Sequence, residues 1–243
     1  MKKKKIKNPL IRRIPKELIG DWKKYLVVFL FLVLTIGFVS GMYVANESMI
    51  TSASEGVTKY KQEDGHFELK KQADATLLSA IETGEKADFK ATKTTLYENF
   101  FRNEEEDYNN DGKKDGTIRV FAKTKDINLA CMLQGSFPQK DEIAIDRMHA
   151  DNVGIKVGDT VTVSGETYKV VGLLAYVNYS TLHEKTTDLM FDALKFDVAM
   201  VTQDGFDRLH KSIHYTYAWK YETEHADEAG EKTRSENFMR ALL

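Results

Sequence analysis

Hydrophobic and polar positions fall into three regimes along the chain. From Tyr25 to Asn46 there are 22 consecutive uncharged residues, mostly Leu, Val, Phe and Ile, bounded by Lys24 and Glu47. At about 1.5 Å rise per residue the run is roughly 33 Å long as a helix, enough to cross a hydrocarbon core of about 30 Å. Upstream, Leu10, Ile11, Ile14, Leu18, Ile19 and Trp22 recur about once per turn among Arg12, Arg13, Lys16, Lys23 and Lys24. That spacing predicts a basic amphipathic segment over residues 1–24, lying on a membrane surface, with Pro15 in a first helical turn and Lys2–Lys5 as a solvated tail. Downstream, Met42, Ala45, Met49, Ala53, Val57 and Tyr60 continue a stripe at spacings of three and four without proline. The helix is therefore expected to run on as a stalk over residues 47–65 and to stop near Glu63-Asp64-Gly65.

A cleaved signal peptide would have an apolar core of about 7–15 residues and a small-residue cleavage site. Val39-Ser40-Gly41 and Tyr43-Val44-Ala45 match such a site faintly, but the run is too long and the basic stretch too large, so residues 25–46 read as an uncleaved transmembrane helix. Residues 1–24 hold ten Lys/Arg against Glu17 and Asp21, or +8, which leaves −10 of the net −2 for residues 25–243. The positive-inside rule puts the start in the cytoplasm and the acidic body outside the cell membrane. Within the span, Gly37 and Gly41 form a GxxxG pattern with Ser40 beside it, where a second helix can approach closely. Glycine is also common in membrane helices, so the pattern has two readings.

From residue 66 to residue 243 the periods mix. Ala73–Thr83 and Gln203–Ser212 have helical spacing, while Asp88–Leu96, Thr117–Ala122, Glu142–Ile145, Phe196–Thr202 and Tyr215–Glu222 read as strands. Val157–Val163, Ser164-Gly165-Glu166 and Thr167–Gly172 make a β-hairpin, two β-branched runs around a glycine turn. Ala226–Leu243 is a charged helical pattern with no stop signal. The expected fold class is α+β: an N-terminal transmembrane helix and stalk, then a mixed α/β extracytoplasmic domain with β-hairpins.

An acidic body argues against nucleic acid as a partner, since phosphate binding needs net basic charge. The single cysteine, Cys131, forbids an intrachain disulfide or a cysteine zinc cluster, and its apolar run Leu129–Leu133 predicts a buried structural thiol. Asp107, Asn109, Asp111 and Gly112 match the first half of a calcium loop, with Asp115 at its ninth position. Ile118 stands where a bidentate Glu belongs and a strand follows, so a structural Ca2+ site is the most this loop offers, against a plain acidic turn. His210 and His214 lie four apart on the expected helix, without a third ligand. Asn46 and Asn178 fit the glycosylation acceptor pattern, which recurs by chance. There is no P-loop, no GxSxG, no dinucleotide fingerprint and no catalytic constellation, so the chain is not expected to be an enzyme.

The order of these features resembles the beginning of a MacB/FtsX-like ABC transporter permease. The likeness rests on Asn8–Pro15, on Asp141–Asp146, on Gly154–Val161 and on Tyr168–Gly172, a "GD-strand-turn-strand-VVG" unit similar to one in the periplasmic core domain of that family. Tyr179–Leu182, Met190–Asp192 and Phe196–Ala199 resemble the same region in low-GC Gram-positive members. The resemblance implies a transport subunit without chemistry of its own, partnered by a cytoplasmic ABC ATPase, by further transmembrane helices of the same or a second permease, and by membrane lipid. It implies no catalytic residue and no cofactor. Members of the family carry further spans after the outer domain, so this chain is expected to be a fragment with an incomplete core domain. The competing reading is a single-pass anchored binding or sensor module. An anchored hydrolase has no nucleophile–base pair to nominate.

Overall fold

The computed structural model describes residues 13, 16, 19–83, 94–185, 187–222 and 227–242. The amphipathic start lies largely outside them, as do the first part of the strand expected over Asp88–Leu96 and the two ends of Ala226–Leu243. The chain divides into two compact units, Met1–Glu55 and Gly56–Leu243.

One element dominates the first unit and ends four residues into the second. α1 (Trp22–Lys59) is a helix of 38 residues with none buried. At about 1.5 Å per residue it is about 57 Å long, nearly twice the thickness of a hydrocarbon core. Its most apolar 18-residue window has a mean hydropathy of 2.4, so it is long and apolar enough to cross a membrane. A Cβ added at Gly37 or Gly41 would meet nothing within 4 Å, and Ser40 beside them is exposed.

In the second unit the chain order is β1 (Gly65–Leu69), α2 (Ala75–Thr83), β2 (Thr94–Glu98), β3 (Phe101–Asp107), β4 (Gly116–Ala122), β5 (Ala130–Gly135), β6 (Glu142–Asp146), α3 (Arg147–Val153), β7 (Thr160–Val163), β8 (Glu166–Tyr176), β9 (Phe196–Val201), α4 (Gln203–Asp207), β10 (Tyr215–Tyr221) and α5 (Glu228–Leu242). This is the α+β domain the sequence predicts.

A small antiparallel sheet has the order β1-β10-β2. Ile81 of α2 and Phe238 of α5 join Trp219 of β10 in its core, with Phe67, Leu96 and Tyr221 packed around them. The Phe238 ring lies 4.6 Å from the Trp219 ring.

The larger sheet closes on itself. β8 pairs with β6, and the ladder continues through β9, β4, β3 and β7 back to β8, while β5 is attached to β8 as well. β8 serves two partners because it is long: Glu166–Lys169 face β7 in the expected hairpin, and Gly172–Tyr176 face β5. The turn between the hairpin strands is Ser164-Gly165, both at positive φ (48° and 90°), the two-residue geometry that matches strand twist. The β6–β8 register slips between Val170 and Gly172, a bulge that bends the strand as its partner changes. Gly135 of β5, at φ +78°, packs its backbone onto this bend; a Cβ there would sit 2.1 Å from the Val171 carbonyl oxygen.

Paired residues on neighbouring strands share a face. Ile118 pairs with Asp197, Val120 with Ala199, and Ala122 with Val201. That face holds one buried core, with Ile143, Ile145, Val161, Val163, Tyr168 and Val170. The opposite face buries Phe101, Phe121, Leu174, Tyr176, Phe196, Val198 and Met200 against Leu182 and Ala193. β9 is therefore buried at all six positions.

Candidate functional site

The same registers carry acids into the first core. Glu104 pairs with Ile118, Glu106 with Val163, and Asp197 sits opposite Ile118, so all three carboxylates share the face of the barrel's apolar interior. Their fates differ. Glu104 is satisfied: its Oε1 accepts from the Lys211 N–H at 2.9 Å and its Oε2 from the Ser164 hydroxyl. Glu106 has no hydrogen-bond donor on either oxygen among the described residues, and Asp197 has none on Oδ2. The other oxygen of Asp197 accepts from the N–H groups of Val198 (2.7 Å) and Asp146 (3.1 Å).

His149 completes the cluster from α3. Asp146 starts that helix as its N-cap, accepting from Met148 N–H at 2.7 Å and His149 N–H at 3.4 Å, and Gly154 ends it in the left-handed conformation. One turn in, His149 points into the core. Its Nδ1 lies 2.7 Å from the Ala193 carbonyl oxygen. A carbonyl only accepts, so Nδ1 carries the hydrogen and Nε2 faces the acids. Nε2 is 3.4 Å from Glu106 Oε1. Glu106, His149 and Asp197 are each 0% exposed, and one ligand atom from each lies within 4.8 Å of the others. The Tyr108 ring meets His149 edge-on at 5.9 Å.

Burial opposes every charge here. It pushes the Asp197 carboxyl well above the usual carboxylate range; the His149 charge opposes that push, and the Glu106 and Asp146 charges add to it. It raises Asp146 too, against the two amide bonds that favour its ionised form. Burial alone would lower His149; Asp197 and Glu106 outweigh it and lift the imidazole to about 9.

The residues singled out from sequence lie elsewhere. Asp107, Asn109, Asp111 and Asp115 come together in the β3–β4 loop, where their oxygens accept from the loop's own amides. Asp107 takes the N–H groups of Asp111 (3.1 Å) and Gly112 (2.8 Å), and Asp115 takes those of Tyr108 (3.1 Å) and Asn109 (3.4 Å). Asp111 accepts from Lys113 N–H at 2.9 Å.

His210 and His214 do not share a helix, which corrects the helix expected over Gln203–Ser212. α4 ends at Asp207 because Leu209 turns into the core and the Lys211 amide leaves to bond Glu104. His214 instead bridges to Phe101, stacks on its ring at 4.6 Å and meets Glu68 Oε1 at 2.8 Å. Cys131 is half-buried rather than buried, since β5 is attached beside the barrel; Tyr60 donates to its Sγ at 2.8 Å.

A second polar site is a cleft of about 350 Å3 lined by His66, Arg119, Tyr179, Glu184 and His214 among others. Arg119 and His66 in it are engaged. Arg119 donates to Asn103, to the Tyr179 hydroxyl and to the Glu184 carbonyl, and lies over the Phe101 ring. His66 meets Glu63 Oε1 at 2.6 Å.

No family profile matches the chain, and no curated protein matches it. Among solved structures it is similar to the extracellular domain of the noncanonic ABC-type transporter YknZ from Gram-positive bacteria, at 14% identity and a TM-score of 0.37, over 73% of this chain and 92% of that one. It is also similar to the periplasmic region of MacB from Actinobacillus actinomycetemcomitans, at 10% identity and a TM-score of 0.36, over 66% of this chain and 72% of that one. At these scores neither neighbour carries a conclusion about what this chain does.

Proposed function

We propose that this chain is the first membrane helix and extracytoplasmic domain of a MacB/FtsX-like ABC transporter permease, with residues 1–24 in the cytoplasm and the α+β domain outside. It performs no chemistry. A separate cytoplasmic ATPase hydrolyses ATP, and α1 passes the resulting motion across the bilayer. The observation that carries this reading is α1 itself, unburied along its length and longer than a bilayer needs, in a chain whose outer part contains the family's hairpin unit. An exposed apolar helix of this length requires lipid or other helices around it. Gly37, Ser40 and Gly41 are the surface offered to a neighbouring helix.

The test is purification of the tagged chain from native membranes in mild detergent. An ATPase subunit with a P-loop motif is expected to copurify. Its absence, with the chain correctly inserted, favours the single-pass binding or sensor module. A Gly-Gly insertion after Ser52 is expected to uncouple the outer domain from ATP turnover while leaving the complex assembled; full transport by that variant removes the lever role of α1.

A further inference from the structure

We propose that Glu106, His149 and Asp197 form a buried site for one divalent transition-metal cation of the zinc class, which pins β3, α3 and β9 together at one place in the barrel. Two glutamates reach the barrel interior from β3, and only one is accounted for by protein donors. Both oxygens of Glu104 receive hydrogen bonds, whereas both oxygens of Glu106, together with Asp197 Oδ2 and His149 Nε2, have none among the described residues. Four buried polar atoms without a hydrogen-bond partner among the described residues, two of them held only by the 3.4 Å ion pair between Nε2 and Oε1, are a cost that native interiors avoid unless something completes them.

The geometry selects the ligand. The Nε2–Oε1 separation is 3.4 Å, longer than the about 2.7–2.9 Å of a charge-assisted hydrogen bond. That one separation equals the edge of a tetrahedral site, about 3.3 Å for metal–ligand bonds of about 2.0–2.1 Å, and one ligand atom from each of the three residues lies within 4.8 Å of the others. The Nδ1–H to Ala193 carbonyl bond fixes the tautomer that directs the Nε2 lone pair inward, as in histidine ligands held by an outer-shell acceptor. One neutral imidazole, two carboxylates and a divalent cation sum to zero charge, which suits a site buried away from water. An imidazole nitrogen in the donor set favours zinc over calcium or magnesium, which take oxygen ligands.

The test is zinc binding by the full, untagged chain in detergent, stripped with EDTA and then titrated with zinc chloride. One equivalent of zinc is expected to survive gel filtration and to raise the melting temperature, with the rise complete at one equivalent. Cobalt in place of zinc should show the visible bands of a tetrahedral ion. Glu106→Gln and Asp197→Asn, which keep side-chain size, should weaken zinc binding at least about tenfold. Glu104→Gln, on the same strand and face, should leave it unchanged. Failure of the unmodified chain to retain zinc, or retention unchanged in Glu106→Gln, overturns the proposal and leaves a protonated His149 paired with the acids. The unmodified chain decides the matter alone if the variants do not fold. The permease reading is independent of either result.

Discussion

Replacing Phe238 by Ala tests whether α5 belongs to the outer domain's core. Phe238 is 1% exposed and packs on Trp219 and Tyr221, while its neighbour Met239 is 53% exposed. Truncating a buried Phe costs about 3–5 kcal/mol, from lost burial and from the cavity left behind. In a domain of this size each kcal/mol lowers the melting temperature by about 2–4 °C, so a fall of about 6–20 °C is expected. Met239→Ala removes an exposed side chain and should stay within about 0.5 kcal/mol. Melting of the full chain in detergent measures both. Hydrogen exchange resolved by segment shows where the loss falls: β1, β10 and β2 should lose protection before the barrel strands. Equal effects at positions 238 and 239 would refute the packing of α5 on the small sheet.

Other expectations follow from single contacts. Gly135→Ala should destabilise by more than the about 1–3 kcal/mol of backbone strain, because its Cβ collides with the Val171 carbonyl. Gly112→Ala, also at positive φ (83°) but with open space around it, should cost only the strain; equal melting temperatures for the two would contradict the bulge packing. The hydrogen bond that the His66 ring donates to the Glu63 carboxylate raises His66 above 6.5, with burial opposing. Stability from that pair is full below 6.5 and is lost as pH rises through the raised folded value. His66→Gln should flatten that decline in melts between about pH 6 and 8, modestly because the His66 side chain is 49% exposed. A calcium site formed by Asp107, Asn109, Asp111 and Asp115 requires a higher melting temperature at millimolar calcium that disappears in Asp107→Asn; an unchanged melt removes it.

Local pattern was legible where several signals agree over one stretch. The β7–β8 hairpin stood out because β-branched alternation and a Ser-Gly turn agree with each other, and α1 because nothing interrupts its apolar run. β3 did not, since Phe-Arg-Asn-Glu-Glu-Glu-Asp places its inward positions at Glu104 and Glu106, the reverse of the usual pattern. His149 lies in a seven-residue helix too short to show a period, and its partners come from strands far away in sequence. One signal was available: Asp197 interrupts the apolar run Phe196–Val201, and a charge inside a fully buried strand calls for a partner. The His210–His214 spacing misled because helical period continued on paper beyond the point where Leu209 and the Lys211 amide pull the chain away.

Labelling of single cysteines in whole cells tests the central claim, that α1 remains in the membrane with the α+β domain outside. In a Cys131→Ser background, which keeps an acceptor for the Tyr60 hydroxyl, Lys140→Cys should react with a membrane-impermeant maleimide on intact cells. Lys16→Cys should react only after permeabilisation. Labelling of Lys16→Cys on intact cells, or recovery of the domain in the medium trimmed after the apolar run, would contradict the account.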